Sequence, residues 1–296
     1  MENQRPRVVI VGSGTRDVLP GRTAVGGAAR YAARVAEAFG VHAGIVVLDE
    51  AHSTEADSAL GAHDVWLVES DVPLVFEIRP EGDRRQMRVQ SRPSMPVTLE
   101  AVPADWCEPE LLVLGPLLPD DLDVASFLEA RPRWTLLIAQ GLLRAVGSEG
   151  LVSPLGRLPE VLRWFARPRT VLALSAEETT GWAPTDLDDL VAAGATVLLT
   201  EGSNGAEVIT SGERFHVEPP AATPVDTIGA GDVFATAFAC AIALEVVRSP
   251  REAGRLAAYF AAASIETEGP AALPSVGTMM ARAGLAPQAI DAGAAG

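Results

Sequence analysis

Four short apolar runs recur through the middle of the chain: Leu111–Leu114, Thr135–Ala139, Thr170–Leu174 and Thr196–Thr200. Helix-like stretches at Leu122–Glu129, Glu160–Phe165 and Leu187–Ala193 separate them. A strand without polar alternation has no face to turn towards water, so it must be covered on both sides. Strand and helix in alternation therefore predict a parallel sheet with helices on both faces.

The N-terminal third fits the same plan. Arg7–Gly12 reads as a buried strand, Gly26–Phe39 as a helix stopped by Gly40, and Val41–Leu48 as a second strand. Val65–Ser70, Leu74–Arg79 and Gln86–Gln90 alternate only in part, and Pro73 and Glu81-Gly-Asp83 punctuate them. They predict a small antiparallel patch with one open face. Val233–Val247 and Glu252–Thr267 read as alanine-rich helices, and the tail after Ala283 as loosely held. No linker-like segment divides the chain, so residues 1–296 are expected to form one domain with a small inserted sheet.

Charge removes whole classes of function. The net charge is −16 and all 23 basic residues are arginine. Nucleic acid and anionic membrane surfaces need clustered cations, so neither is an expected partner. Without lysine, a Walker-type phosphate loop is excluded. Any positive charge at a phosphate must come from arginine, a metal ion or backbone amides. Cys107 and Cys240 are far apart and give no disulfide framework. With no membrane-length apolar run and no signal-like start, the expected location is cytoplasmic. The histidines (His42, His52, His63 and His216) have no metal-ligand spacing.

The stretch Asp226-Thr-Ile-Gly-Ala-Gly-Asp-Val-Phe234 is the richest in chemistry. Gly229 and Gly231 allow close backbone approach at a helix start, where the amides of Ala230, Gly231 and Asp232 form an anion-holding nest. A carboxylate beside a bound phosphoryl group suits proton abstraction from a hydroxyl. Taken alone, the tetrapeptide reads equally well as a helix cap. The preceding Asp226 and Thr227 are more than a cap needs.

This stretch resembles the C-terminal signature of the ribokinase-like (PfkB) family of small-molecule kinases. The resemblance runs from Val8 to about Pro274 and implies a three-layer α/β/α sandwich with a mostly parallel central sheet and a small β lid. Lid segments are expected at about 14–24 and 65–92. By position, Asp232 takes the role of catalytic base, and Gly229, Ala230 and Gly231 that of the anion hole. Gly26-Gly27 before a helix resembles the family's first signature, where substrate lies against the backbone. Tyr31 stands where the family commonly has Asn, and Asp17 matches its hydroxyl-binding acid. Ser175-Ala-Glu-Glu178 resembles Asn-x-x-Glu, which makes Glu178 the residue that organises Mg²⁺, and Ser175 is expected to cap a following helix. Thr200-Glu-Gly-Ser-Asn-Gly205 resembles the loop along the nucleotide phosphates, implying ATP contacts at Thr200, Gly202, Ser203, Gly205 and Thr227.

Gln140-Gly-Leu-Leu-Arg144, with Leu74–Gln90 carrying Phe76-Glu77, looks like the inositol-kinase subgroup. That places Gln140 and Arg144 near the substrate, together with Asp226. The implied reaction carries the γ-phosphoryl group of ATP to a hydroxyl of a sugar or polyol, an inositol-like cyclitol among them. Some relatives also bind a monovalent cation near the loop that corresponds to Asp226, and in the family the lid often mediates a homodimer. Two other readings stay open. One is a nucleoside kinase, with Tyr31, Trp66 and Phe76 as a base pocket. The other is a non-catalytic sugar- or nucleotide-binding regulator.

Overall fold

The structure is a computed structural model that describes residues 5–50, 60–81 and 84–286. His52, Gly82, Asp83 and the tail from 287 onward lie outside the described residues. In chain order the first half comprises β1 (Val8–Ser13), β2 (Thr15–Leu19), β3 (Arg22–Gly26), α1 (Ala28–Ala38), β4 (Ala43–Glu50), β5 (Asp64–Ser70), β6 (Leu74–Glu81), β7 (Arg84–Ser91) and β8 (Leu111–Gly115). The second half comprises β9 (Trp134–Ile138), β10 (Arg144–Val146), β11 (Val152–Pro154), α2 (Glu160–Phe165), β12 (Thr170–Ser175), α3 (Asp186–Ala192), β13 (Thr196–Thr200), β14 (Ala206–Ile209), β15 (Arg214–Val217), α4 (Ala230–Ala243), α5 (Pro250–Ile265) and α6 (Val276–Arg282).

The main sheet has nine strands in the order β5-β4-β1-β8-β9-β12-β13-β14-β15. All neighbours from β5 to β13 pair in parallel, and only β14 and β15 close the edge as antiparallel strands. Strand β1 shows why the continuous apolar runs matter. Val8 and Ile10 pack with α1, α4 and α5 on one face. Val9 and Val11 pack with Phe165 of α2 and Leu190 of α3 on the other. The three-layer sandwich is the result.

Helix α1 sits unusually close to the sheet. A Cβ placed on Gly115 would be 2.8 Å from the Ala28 Cβ, and one on Gly12 would be 3.4 Å from the Ala29 Cβ. Glycine in two neighbouring strands and alanine on the helix make that approach sterically allowed.

The lid differs from the expected one. Its sheet has the order β3-β2-β6-β7. Val65–Ser70, expected in the lid, is instead the outermost strand of the main sheet, paired in parallel with β4 from Gly44↔Asp64 to Glu50↔Ser70. With a strand on one side only, β5 is poorly covered, and its weak alternation mimics an open-faced sheet. The lid is also not purely antiparallel, because β2 runs parallel to β6. The stretch expected as a helix over Leu122–Glu129 is a 3₁₀ turn at Val124–Glu129. Arg131 precedes Pro132, and the residue before a proline is driven away from helical backbone, so the segment cannot extend.

Candidate active site

The candidate residues gather at the carboxyl ends of the parallel strands, where open α/β sheets place their ligands. Gln140 lies in the turn that follows β9, Arg144 opens β10, Ser175 ends β12 and Thr200 ends β13. Asp232 stands in the first turn of α4, which begins behind Gly229 in the left-handed region, φ 79°. A side chain at 229 would collide with Tyr31, whose ring is packed 2.4 Å from the place a Cβ would take. Glycine is therefore required there twice, by backbone and by neighbour. Tyr31 itself is buried at 4% exposure, so it supports the turn from beneath.

Asp232 Oδ1 accepts a hydrogen bond from Gln140 Nε2 at 3.1 Å. Gln140 Oε1 accepts in turn from Arg144 at 3.2 Å, and Arg144 also donates to the Leu117 carbonyl at 2.6 Å. Asp232 Oδ2 takes no hydrogen bond among the described residues. Burial raises Asp232 to about 7; Arg144 opposes the shift and Glu178 adds to it. A carboxyl near neutrality is well matched to proton transfer at ordinary pH. Burial also raises Glu178 and Asp17, the latter to about 6. Burial lowers Arg144, while Glu178, Asp232, Asp121 and Asp17 hold it charged.

Asp17 lies on β2 and is 6% exposed. Gly26 faces it across the strand pair: a Cβ there would meet Asp17 Oδ2 at 2.6 Å and Thr15 Oγ1 at 2.8 Å. Gly27, φ 109°, starts α1, and a side chain there would strike the Ser13 carbonyl oxygen. Both glycines thus serve to bring the lid strand's carboxylate against the helix start.

Glu178 and Ser175 bond reciprocally. The Ser175 amide donates to Glu178 Oε2 at 2.9 Å and the Glu178 amide donates to Ser175 Oγ at 3.2 Å. That is the pattern of a capping box, yet residues 176–181 form turns and not the expected helix. Glu178, Asp232, Gly229, Gly231 and Gln140 share a cleft of about 160 Å³. Beside it lies a larger cavity of about 430 Å³, lined by Gly202, Ser203, Gly205, Thr227, Gly231 and Phe234 among others. Thr200 borders both. No cluster of three or more His, Cys, Asp or Glu among the described residues can hold a metal ion.

Asp226, expected at the substrate, is bonded to its own loop and to the lid strand β3. Its Oδ1 accepts from the Ile228 amide at 3.0 Å, and its Oδ2 from Arg22 at 3.2 Å and the Gly269 amide at 3.5 Å. Both oxygens thus have partners within the protein. Trp66 is 52% exposed on β5, whereas Phe76 is buried at 3%, so the three aromatics named for a base pocket are not equivalent.

Asp121 was not visible as a site residue. It is 3% exposed, receives Ser13 Oγ at 2.8 Å and the Leu117 and Leu118 amides, and burial raises it to about 6. It folds the loop whose Leu117 carbonyl anchors Arg144. The available signal was its place six residues beyond the end of a central strand.

Residues 148–276 match the pfkB family carbohydrate kinase model. The inositol 3-kinase of Zea mays is 32% identical over 161 residues, covering 53% of this chain and 39% of that protein. The chain thus aligns with well under half of that relative's length. A structure from the conversion of a pyrophosphate-dependent myo-inositol-1 kinase into a myo-inositol-3 kinase by mutation superposes with a TM-score of 0.71 at 18% identity, covering 89% of this chain and 94% of the other. Arabidopsis thaliana ribokinase, complexed with ribose and ATP, superposes with a TM-score of 0.68 at 18% identity, covering 96% and 100%.

Proposed function

We propose that this chain, which has the ribokinase fold and matches the pfkB family over residues 148–276, transfers the γ-phosphoryl group of ATP to a hydroxyl of a small sugar or polyol, an inositol-like cyclitol being the favoured class. The observation that carries the reading is Asp232, a carboxyl raised to about 7 with one oxygen held by Gln140, on a cleft shared with Glu178.

In this reading Asp232 takes the proton from the acceptor hydroxyl as its oxygen bonds to phosphorus. The bond from phosphorus to the bridging oxygen breaks, and ADP leaves. The amides of Ala230, Gly231 and Asp232 stabilise the phosphoryl oxygens at the positive end of α4. Asp17 accepts hydrogen bonds from acceptor hydroxyls, and the lid keeps water out. A magnesium ion bound with the donor would neutralise phosphate charge. Glu178 fits that task, because its carboxylate borders the cleft and hydrated Mg²⁺ needs few protein ligands.

The donor merits a separate comparison, since one structural neighbour uses pyrophosphate. The 430 Å³ cavity here is lined by Pro219, Pro220, Ala258, Ala261 and Phe234 and by no arginine. Free pyrophosphate calls for cationic donors, whereas an adenine base suits an apolar slot. That favours ATP.

The test is turnover with ATP or pyrophosphate across a panel of cyclitols, pentoses, hexoses and nucleosides, in the wild type and in Asp232→Asn. Transfer from ATP to a polyol, lost by several orders of magnitude in the variant, supports the proposal. Near-normal rates in Asp232→Asn would sink it, and ligand binding without any turnover would favour a regulator.

A further inference from the structure

Gln140 and Arg144 were expected to touch the acceptor. The geometry points to a different task. We propose that they are positioning residues: Arg144, packed against the lid, fixes Gln140, and Gln140 fixes Asp232 Oδ1 so that Oδ2 alone faces the acceptor. The inference rests on the reading of Asp232 as the base.

The chain of contacts is continuous. Phe76 lies in lid strand β6 and is buried, and the Arg144 guanidinium stands over its ring at 5.7 Å. Arg144 reaches Gln140 at 3.2 Å, and Gln140 reaches Asp232 at 3.1 Å. Arginine can only donate, so Gln140 must turn its oxygen towards Arg144 and its NH₂ group towards Asp232. The amide orientation is thereby dictated by its two neighbours. The Leu117 carbonyl, at 2.6 Å, keeps the guanidinium from swinging away.

Interposing an amide also has a chemical advantage. A guanidinium bonded directly to Asp232 would hold the carboxylate ionised and make it a poor proton acceptor. A neutral amide donor fixes one oxygen and leaves the other basic. Arg144 still contributes its charge through space, surrounded by Asp17, Asp121, Glu178 and Asp232. Since Phe76 and Asp17 both belong to the lid sheet, the base is held by a relay whose far end is the lid.

Two kinds of measurement test the relay. In steady-state kinetics, Gln140→Leu and Arg144→Met should each lower kcat about 100-fold, as a misaligned catalytic group does. The acceptor KM should stay within threefold, and Phe76→Leu should show the same split with a smaller loss. Arg144→Lys, which keeps the charge and a donor, should recover part of kcat. An acceptor KM raised tenfold or more with kcat retained would overturn the proposal and make the pair substrate contacts. The second readout needs no turnover. The Gln140 side-chain amide resonance, assigned by its loss in Gln140→Leu, should shift in Asp232→Asn and in Arg144→Met. An unmoved resonance in both variants overturns the relay whether or not the wild type proves to be a kinase.

Discussion

The ring of Tyr31 fills the space that a side chain at Gly229 would need, with Cε1 and Cζ both 2.4 Å from the ideal Cβ position. One residue from α1 thus defines the turn that opens α4. Gly229→Ala must bear both a left-handed backbone and this collision. It is expected to lose roughly 2–4 kcal/mol of stability in urea melts and most of its turnover. Tyr31→Phe keeps the ring and should stay within about 1 kcal/mol of wild type.

The carboxyl of Asp232 titrates near neutrality, raised first by burial. In the role proposed for it, Asp232 must be ionised to act, so kcat/KM should fall as pH drops through about 7 and level off above it. The stability effect has the opposite sign. A folded value above the unfolded one adds stability at low pH that is lost as pH rises through 7. Asp232→Asn should therefore melt at a higher temperature than wild type at pH 8, with the advantage shrinking towards pH 4. A pH-rate profile and calorimetry at both pH values check this.

Arg22 ties lid strand β3 to Asp226 at 3.2 Å and to Glu268 at 3.4 Å. Arg22 is 40% exposed, so Arg22→Met should change global stability by less than about 1 kcal/mol. A looser lid admits water, and ADP release without acceptor is expected to rise severalfold. An unchanged basal rate would argue that the pair does not restrain the lid.

Inside the larger cavity, Ala261 faces the space assigned to the adenine. Ala261→Phe fills that space with a ring and should raise the KM for ATP at least about tenfold by excluding the adenine base. The acceptor KM should not change, and initial-rate kinetics with each substrate varied separate the two.

Arg30 is fully buried and bonds Asp49 at 2.6 Å and the Gly26 carbonyl at 2.6 Å. Arg30→Met leaves Asp49, itself 3% exposed, with Arg16 at 3.4 Å as its remaining ion-pair partner. Removing one partner of a buried pair costs about 3–5 kcal/mol, which urea unfolding would register.

The parts of the fold that could be read in the sequence are those where local pattern and final burial coincide. The continuous apolar runs of β8, β9, β12 and β13 are covered on both faces, and they read that way. Strand β5 did not, because its residues owe their place to pairing with β4 and not to their own pattern. The turn at Gly229–Asp232 was legible for a similar reason: nest, carboxylate and helix start are adjacent in the chain. Asp121 meets Ser13 across 108 residues and Arg22 meets Asp226 across 204. Neither partner carries a local sign of the other, so only the fold reveals what they do. The hydrogen bond from Gln140 to Asp232 was hidden likewise, since the two lie 92 residues apart and an amide carries no local sign of what it faces.

The seating of α1 on Gly12 and Gly115 bears on how the lid can travel. A helix so close to the sheet has no free path along it. Strand β2 leaves the sheet through Gly14, and β3 re-enters α1 through Gly27. A Cβ on Gly27 would be 3.4 Å from the Gly14 Cα, so these two joints touch. The first pair of lid strands is therefore joined to the body where these glycines meet, and Arg22 ties it a second time to Asp226 and Glu268. Opening that pair would call for a hinge at the glycine joint together with release of the Arg22 contacts.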